Sequence, residues 1–97
     1  MDLARLELWG YDGVSLFGCV YGHEDFPNGR HVRTSAVINI YRNNDKRLQA
    51  DCVSRTYILG KIDPEYESQF PNAVERLIVA AKAQNRNKGN EESQPYN

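Results

Sequence analysis

The residues best suited to chemistry lie in one short segment, between His23 and His31. His23, Glu24 and Asp25 stand in a row, and five residues separate Asp25 from His31. Imidazole and carboxylate groups ligate zinc and also serve as general acids and bases. This spacing differs from the HExxH pattern of helix-borne zinc sites, and the Phe-Pro-Asn-Gly within the segment is typical of a turn. We therefore predict a hairpin loop here and no metal site.

Cys19 is the nearest candidate nucleophile to this loop. A catalytic thiol needs a base that activates it and a third group that orients the base. His23 and His31 are nearby bases, but no orienting group stands out, and Cys19 lies in an apolar, strand-like stretch. Cys52 has similar surroundings, and the pair lacks CxxC spacing. We predict two small buried thiols, no enzymatic activity, no catalytic residues and no cofactor.

The elements that position these residues are mostly β-strands, because apolar residues recur with a period of two. In the first stretch, Ala4, Leu6 and Leu8 are predicted to face the core, and Trp9 to face away. A longer alternation runs through residues 32–41. Gly18, inside the second strand, predicts a bulge or a close approach of two backbones.

The last third of the chain has a helical pattern. Asp63 followed by Pro64 predicts a short helical turn. An apolar stripe with helical spacing then predicts an amphipathic helix, and its members are Val74, Leu77, Ile78 and Ala81. Residues 85–97 lack such a stripe and are predicted to be a disordered tail, which leaves one domain over residues 1–84.

Strands followed by a helix predict an α+β fold. We expect four to five antiparallel strands that form a twisted sheet or a partly open SH3-like barrel, followed by a C-terminal helix. The N-terminus has no positively charged segment before an apolar run, and no apolar stretch approaches the roughly 20 residues of a membrane span. The sequence therefore predicts a cytoplasmic protein with no membrane partner.

The net charge of −1 conceals a basic middle between two acidic ends. Residues 1–29 carry a net charge of −4, residues 30–61 carry +5, and residues 62–97 carry −2. One interpretation is that acidic and basic segments pair within the fold. The other is that the basic segment forms a charged recognition face.

Two kinds of partner suit that basic segment. Tyr, Trp and Arg are enriched at the energetic centres of protein interfaces, which favours a non-enzymatic module that binds a host protein. Aromatic and basic residues on a sheet can also bind nucleic acid, so a nucleic-acid-binding β-barrel is the alternative. A homodimer formed through an edge strand is compatible with both. The predicted partner-binding residues are Arg30, His31, Arg33, Tyr41, Arg42, Arg47, Arg55 and Tyr57.

One segment resembles a group of small bacterial and phage-type proteins. The resemblance covers about half of the chain, and it is carried by Gly18, Val20, Tyr21, Gly22, His23, Phe26, Pro27, Asn28, Gly29, Val32, Thr34 and Ser35, with the stretch Thr56 to Gly60 as a closing strand. Small phage-type proteins often act by binding a host protein, anti-CRISPR and other anti-defence proteins among them. The resemblance therefore implies an inhibitor of a host defence protein, and it assigns no residue a role.

Overall fold

Five strands precede two helices along the chain. The computed structural model describes residues 3–93, with side chains through residue 83. The strands are β1 (Ala4–Tyr11), β2 (Ser15–Tyr21), β3 (Arg30–Arg42), β4 (Leu48–Cys52) and β5 (Thr56–Leu59), and the helices are α1 (Pro64–Gln69) and α2 (Ala73–Ser93). This order confirms the predicted α+β fold.

The five strands close into a ring-like sheet. Neighbours in sequence pair antiparallel, and β1 pairs with β5 in parallel, with Ala4–Leu6 against Tyr57–Leu59. When five strands alternate in direction, the first and the last run the same way, so only a parallel pair can close the ring. The sequence analysis did not predict this pairing. Because each described strand has a partner on both sides, the edge strand invoked for a homodimer is not present among them.

Leu8 and Trp9 occupy faces opposite to those predicted. Trp9 is fully buried and Leu8 is exposed. Between the paired positions Glu7 and Gly10, β1 has one residue more than β2, and Leu8 has a φ of 51°. This β-bulge reverses the alternation of the strand. A Cβ on Gly18 would lie 2.9 Å from the carbonyl oxygen of Glu7, which confirms the predicted close approach of two backbones.

The apolar core fills the ring, and α2 packs on β3. Ile78 is buried and Val74 and Leu77 pack against the core, as the helical stripe predicted. The backbone of α2 is helical to Ser93, beyond the start of the tail predicted for residues 85–97. The last part of that predicted tail, residues 94–97, lies outside the described residues. Within residues 3–93, no helix combines the length and the apolar character needed to cross a membrane.

The short helix α1 lies on the outside of the ring against β1. It begins as predicted, since Pro64 is its first residue and the Asp63 carboxylate accepts a hydrogen bond from the backbone N–H of Glu65 at 3.2 Å. None of its residues is buried. The side chains of α1 therefore form part of the molecular surface.

Candidate functional site

Three of the arginines predicted to bind a partner form ion pairs within the chain. The pairs are Arg33 with Asp12 at 2.7 Å, Arg42 with Glu75 at 2.9 Å and Arg55 with Glu24 at 2.8 Å. Each arginine comes from the basic middle segment and each acid from an acidic end. The prediction that these segments pair within the fold is confirmed. Three of the seven basic residues of the middle segment are thus paired with acids of the chain itself.

Two predicted binding tyrosines are engaged in contacts within the fold, Tyr57 in the core and Tyr41 on the outer face of β3. The Tyr57 side chain points into the ring and is buried, because it lies on the inward face of β5. The Tyr41 hydroxyl donates to Asp51 at 3.1 Å and accepts from the Gln49 amide at 2.6 Å. Burial and the nearby Asp51 carboxylate raise the pKa of Tyr41. The Tyr57 ring is therefore not available to a partner, and the Tyr41 hydroxyl is already used in hydrogen bonds within the chain.

Arg30 and Arg47 are the predicted binding arginines that make no ion pair among the described residues. Both are exposed. The Arg30 guanidinium lies 5.5 Å from the centre of the Phe26 ring, a distance suited to a cation–π contact. Arg47 lies beyond the end of β3, in the turn before β4. The two residues therefore lie near opposite ends of β3, Arg30 at its start and Arg47 in the turn that follows it.

His23 and His31 have different surroundings. The His23 ring packs 4.7 Å from the Phe26 ring, and its Nδ1 accepts a hydrogen bond from the Asp25 backbone N–H at 2.9 Å. His31 is exposed and stacks on Phe17 with 6.3 Å between ring centres. Among the described residues, no three His, Cys, Asp or Glu side chains come together in a way that could hold a metal ion.

The two cysteines are free, and their environments differ. Cys52 is buried as predicted, and its thiol donates to the Thr34 hydroxyl at 3.6 Å. Burial raises the pKa of Cys52, which disfavours the thiolate. Cys19 is half-buried on the outer face, directly across from His31 on β3, so the prediction that it is buried is wrong. The alternation of β2 explains this, because its neighbour Val20 takes the inward position.

A groove lined by aromatic rings lies between the sheet and α1. We call it the aromatic groove, and its lining residues are Tyr11, Asp12, Gly13, Phe17, Tyr66, Gln69 and Phe70. It has a volume of about 570 Å³. The Phe17 ring lies over Gly10 of the neighbouring strand. A side chain at position 10 would overlap that ring. The Tyr11 hydroxyl donates to the Gly13 carbonyl at 2.8 Å, which fixes the Tyr11 ring at one end of the groove.

Tyr66 of α1 and Phe70, which caps the end of α1, complete the aromatic groove. Tyr66 meets Phe17 edge to face, with ring centres 6.2 Å apart and planes at 85°. Phe70 follows one helical turn later, 5.0 Å from Tyr66, and 49% of it is exposed. Aromatic pairs in these geometries are favourable beyond the area they bury. The groove is therefore a preformed surface whose walls are held by contacts between rings.

Charged groups surround this groove. Arg33 lies across from Phe17 in the strand register, and its ion pair with Asp12 runs along one side. That hydrogen bond, together with backbone N–H groups of Ser15 and Val14, holds the pKa of Asp12 well below its usual range. On the helix side, Glu65 and Glu67 are exposed. Neither glutamate has an ion-pair partner among the described residues.

The structure brings His31 and Arg33 of the predicted set beside the aromatic groove and places the other six residues elsewhere. The sequence analysis did not select Tyr66 and Phe70. A signal for them exists, since aromatic residues four apart on a helix share one face, and the other residues of α1 are polar apart from Pro64.

Comparisons with protein-family models, with curated proteins and with solved structures find no match to this chain.

Proposed function

We propose that this chain is a non-enzymatic module that binds a protein partner through the aromatic groove. The observation that carries the proposal is the continuous run of rings from half-buried Phe17 and Tyr66 to exposed Phe70. Exposed apolar patches with polar borders are typical of interaction sites, and aromatic side chains are enriched at the centres of protein interfaces. His31 and Arg33 border this surface and supply polar contacts.

The charge distribution favours a protein over a nucleic acid. Binding to nucleic acid depends on cations that neutralise phosphates. Arg33, Arg42 and Arg55, which were named for that role, are already paired with carboxylates of the chain. The helix α1, which forms one wall of the groove, also carries the exposed Glu65 and Glu67, which would repel phosphates. The nucleic-acid-binding alternative stays a prediction, and a gel shift at increasing salt tests it.

A capture experiment with matched variants tests the proposal. The full chain, Phe70→Ser and Leu3→Ser are immobilised and exposed to a bacterial host lysate at moderate salt. Leu3 is a suitable control because 43% of it is exposed, close to the value for Phe70. It precedes β1 whereas Tyr11 ends that strand, so about 25 Å of strand separates it from the groove.

We expect a partner that the full chain and Leu3→Ser retain and that Phe70→Ser loses. Circular dichroism of the variants checks that each is folded. A partner retained equally by Phe70→Ser, or no partner at all, contradicts the proposal. The narrower prediction, an inhibitor of a host defence protein, stays a prediction, and the identity of the captured protein tests it.

A further inference from the structure

We propose that the aromatic groove binds an extended, proline-rich peptide segment that carries a basic residue. This inference rests on the proposed function and names the ligand class of the same site. It depends on the shape of the groove, on the closure of the sheet and on the charges of α1.

The fold leaves little opportunity for the other common modes of peptide binding. A peptide that adds a strand needs an open sheet edge. Each strand of the ring pairs on both sides over part of its length, which leaves only short unpaired stretches among the described strands, such as residues 30–36 of β3, which pair with β2 alone. A helical ligand needs a long apolar groove that receives anchors over several turns. The helical wall here is α1, with six residues; it offers Tyr66, and Phe70 follows directly after its last residue.

The rings suit a polyproline II segment. Phe17 and Tyr66 meet at nearly a right angle, so they form a floor and a wall. Aromatic-lined grooves of this kind hold proline rings, and a polyproline II segment loses little conformational entropy on binding because it is already extended. Proline lacks a backbone N–H, so such a ligand offers mainly carbonyl acceptors. The amide of Gln69, which lines the groove, is a donor suited to them.

The acidic residues of α1 specify the charge of the ligand. Glu65 and Glu67 flank Tyr66 in sequence and make no ion pair among the described residues. On the sheet side of the groove, Asp12 is paired with Arg33, and the two charges cancel. Neither glutamate lines the groove itself. An arginine or lysine beside the prolines of a bound segment that continues along α1 would complement their unbalanced negative charge.

Chemical-shift mapping on the full ¹⁵N-labelled chain tests the inference. The probe is a short acetylated and amidated peptide of one arginine followed by prolines. The first comparison peptide has glutamine in place of arginine, and the second has serine in place of every proline. A single-stranded oligothymidine is titrated separately.

We expect the arginine–proline peptide to shift, saturably, the signals of Tyr11, Phe17, Tyr66 and Phe70. Phe70→Ser should weaken binding about tenfold or more, as for a central interface aromatic. Leu3→Ser should leave binding unchanged. Replacing every proline by serine should abolish the shifts.

The charge is tested by combining protein and peptide changes. Glu65→Gln together with Glu67→Gln should weaken binding of the arginine peptide about two- to fivefold, the range for exposed ion pairs. The same protein variant should bind the glutamine peptide as the unchanged protein does. If the double variant loses the same affinity for both peptides, the glutamates do not recognise the arginine.

The inference is overturned if the proline peptide gives no shifts, if shifts occur away from the groove, or if only oligothymidine shifts the groove signals. Failure of the ligand class can be distinguished from failure of the proposed protein-binding function. If Phe70→Ser loses the lysate partner while the proline peptide does not bind, the protein-binding role stands and the ligand class is wrong. If Phe70→Ser also retains that partner, both are wrong.

Discussion

Phe17 of β2 and Tyr66 of α1 pack edge to face, with 6.2 Å between ring centres. This contact joins a helix that has no buried residue to the outer face of the sheet. Tyr66 is half-buried against the sheet, and this burial raises the pKa of its hydroxyl. The walls of the aromatic groove thus form before any ligand arrives, which reduces the entropy lost on binding.

The position of the Phe17 ring depends on the absence of a side chain at Gly10. In Gly10→Ala, the new methyl group would enter the space of that ring. We expect the ring to turn aside, the contact with Tyr66 to weaken and partner capture to fall. Ring-proton chemical shifts of Tyr66 should change in this variant, because they report the orientation of Phe17. Unchanged Tyr66 shifts would contradict the role given to Gly10.

The bulge in β1 depends on Gly18 of the opposite strand. Gly18→Ala places a methyl group 2.9 Å from the Glu7 carbonyl oxygen and 3.1 Å from the Trp9 Cα, and both are backbone atoms. We expect a loss of about 1–3 kcal/mol in the free energy of unfolding, as for other overpacked sites. Urea titration followed by the fluorescence of Trp9 measures it. As a control, Cys19→Ala changes the adjacent, half-buried position, and its free energy of unfolding should stay within about 1 kcal/mol of the original. If both variants lose the same amount of stability, steric crowding at Gly18 is not the cause.

The Asp12–Arg33 pair predicts how stability depends on pH. Because the folded-state pKa of Asp12 lies below its usual 3.8, the charged carboxylate stabilises the fold above about pH 4. This contribution is lost progressively as the pH falls from about 4 toward the folded-state pKa, because the carboxyl of the unfolded chain takes up its proton first. Asp12→Asn removes the charge and keeps a side-chain oxygen for the backbone N–H groups of Val14 and Ser15.

Unfolding of the two proteins by urea at pH 7, 4 and 2.5 checks this prediction. The original chain should be more stable than Asp12→Asn at pH 7, and the difference should shrink at the lowest pH. A difference in unfolding free energy that does not change with pH would show that the charge of Asp12 contributes nothing through Arg33.

Secondary structure was predicted correctly from the sequence where it depends only on neighbouring residues. Asp63 and Pro64 begin a helix because capping needs only neighbouring residues, and the stripe at Val74, Leu77 and Ile78 follows from helical spacing. Gly29, placed in a turn of positive φ by its Asn-Gly context, has a φ of 90°.

The faces of β1 could not be predicted in the same way. Alternation assigned Leu8 to the core, but the bulge moves Trp9 there, and its indole N–H donates to the Gly60 carbonyl at 3.1 Å. That bond joins residues far apart in sequence, so no local pattern contains it. Closure of the ring by β1 and β5 is likewise a long-range event.

The candidate site was harder to predict, because charges were counted along the sequence without their partners. Arg42 stands in the basic segment, yet Glu75 of α2 pairs with it in the fold. The aromatic groove combines residues of β1, β2 and α1, and the contribution of Tyr66 depends on where α1 docks. Only the folded arrangement brings these rings together.

Photo-crosslinking in host cells tests the central claim, partner binding through the aromatic groove, most directly. The crosslinking amino acid p-benzoylphenylalanine is placed at position 70 in one version of the chain and at position 3 in another, since both positions are exposed. Binding through the groove predicts a discrete protein adduct from position 70 and none from position 3. An adduct from position 3 with none from position 70, or no adduct from either, would contradict it.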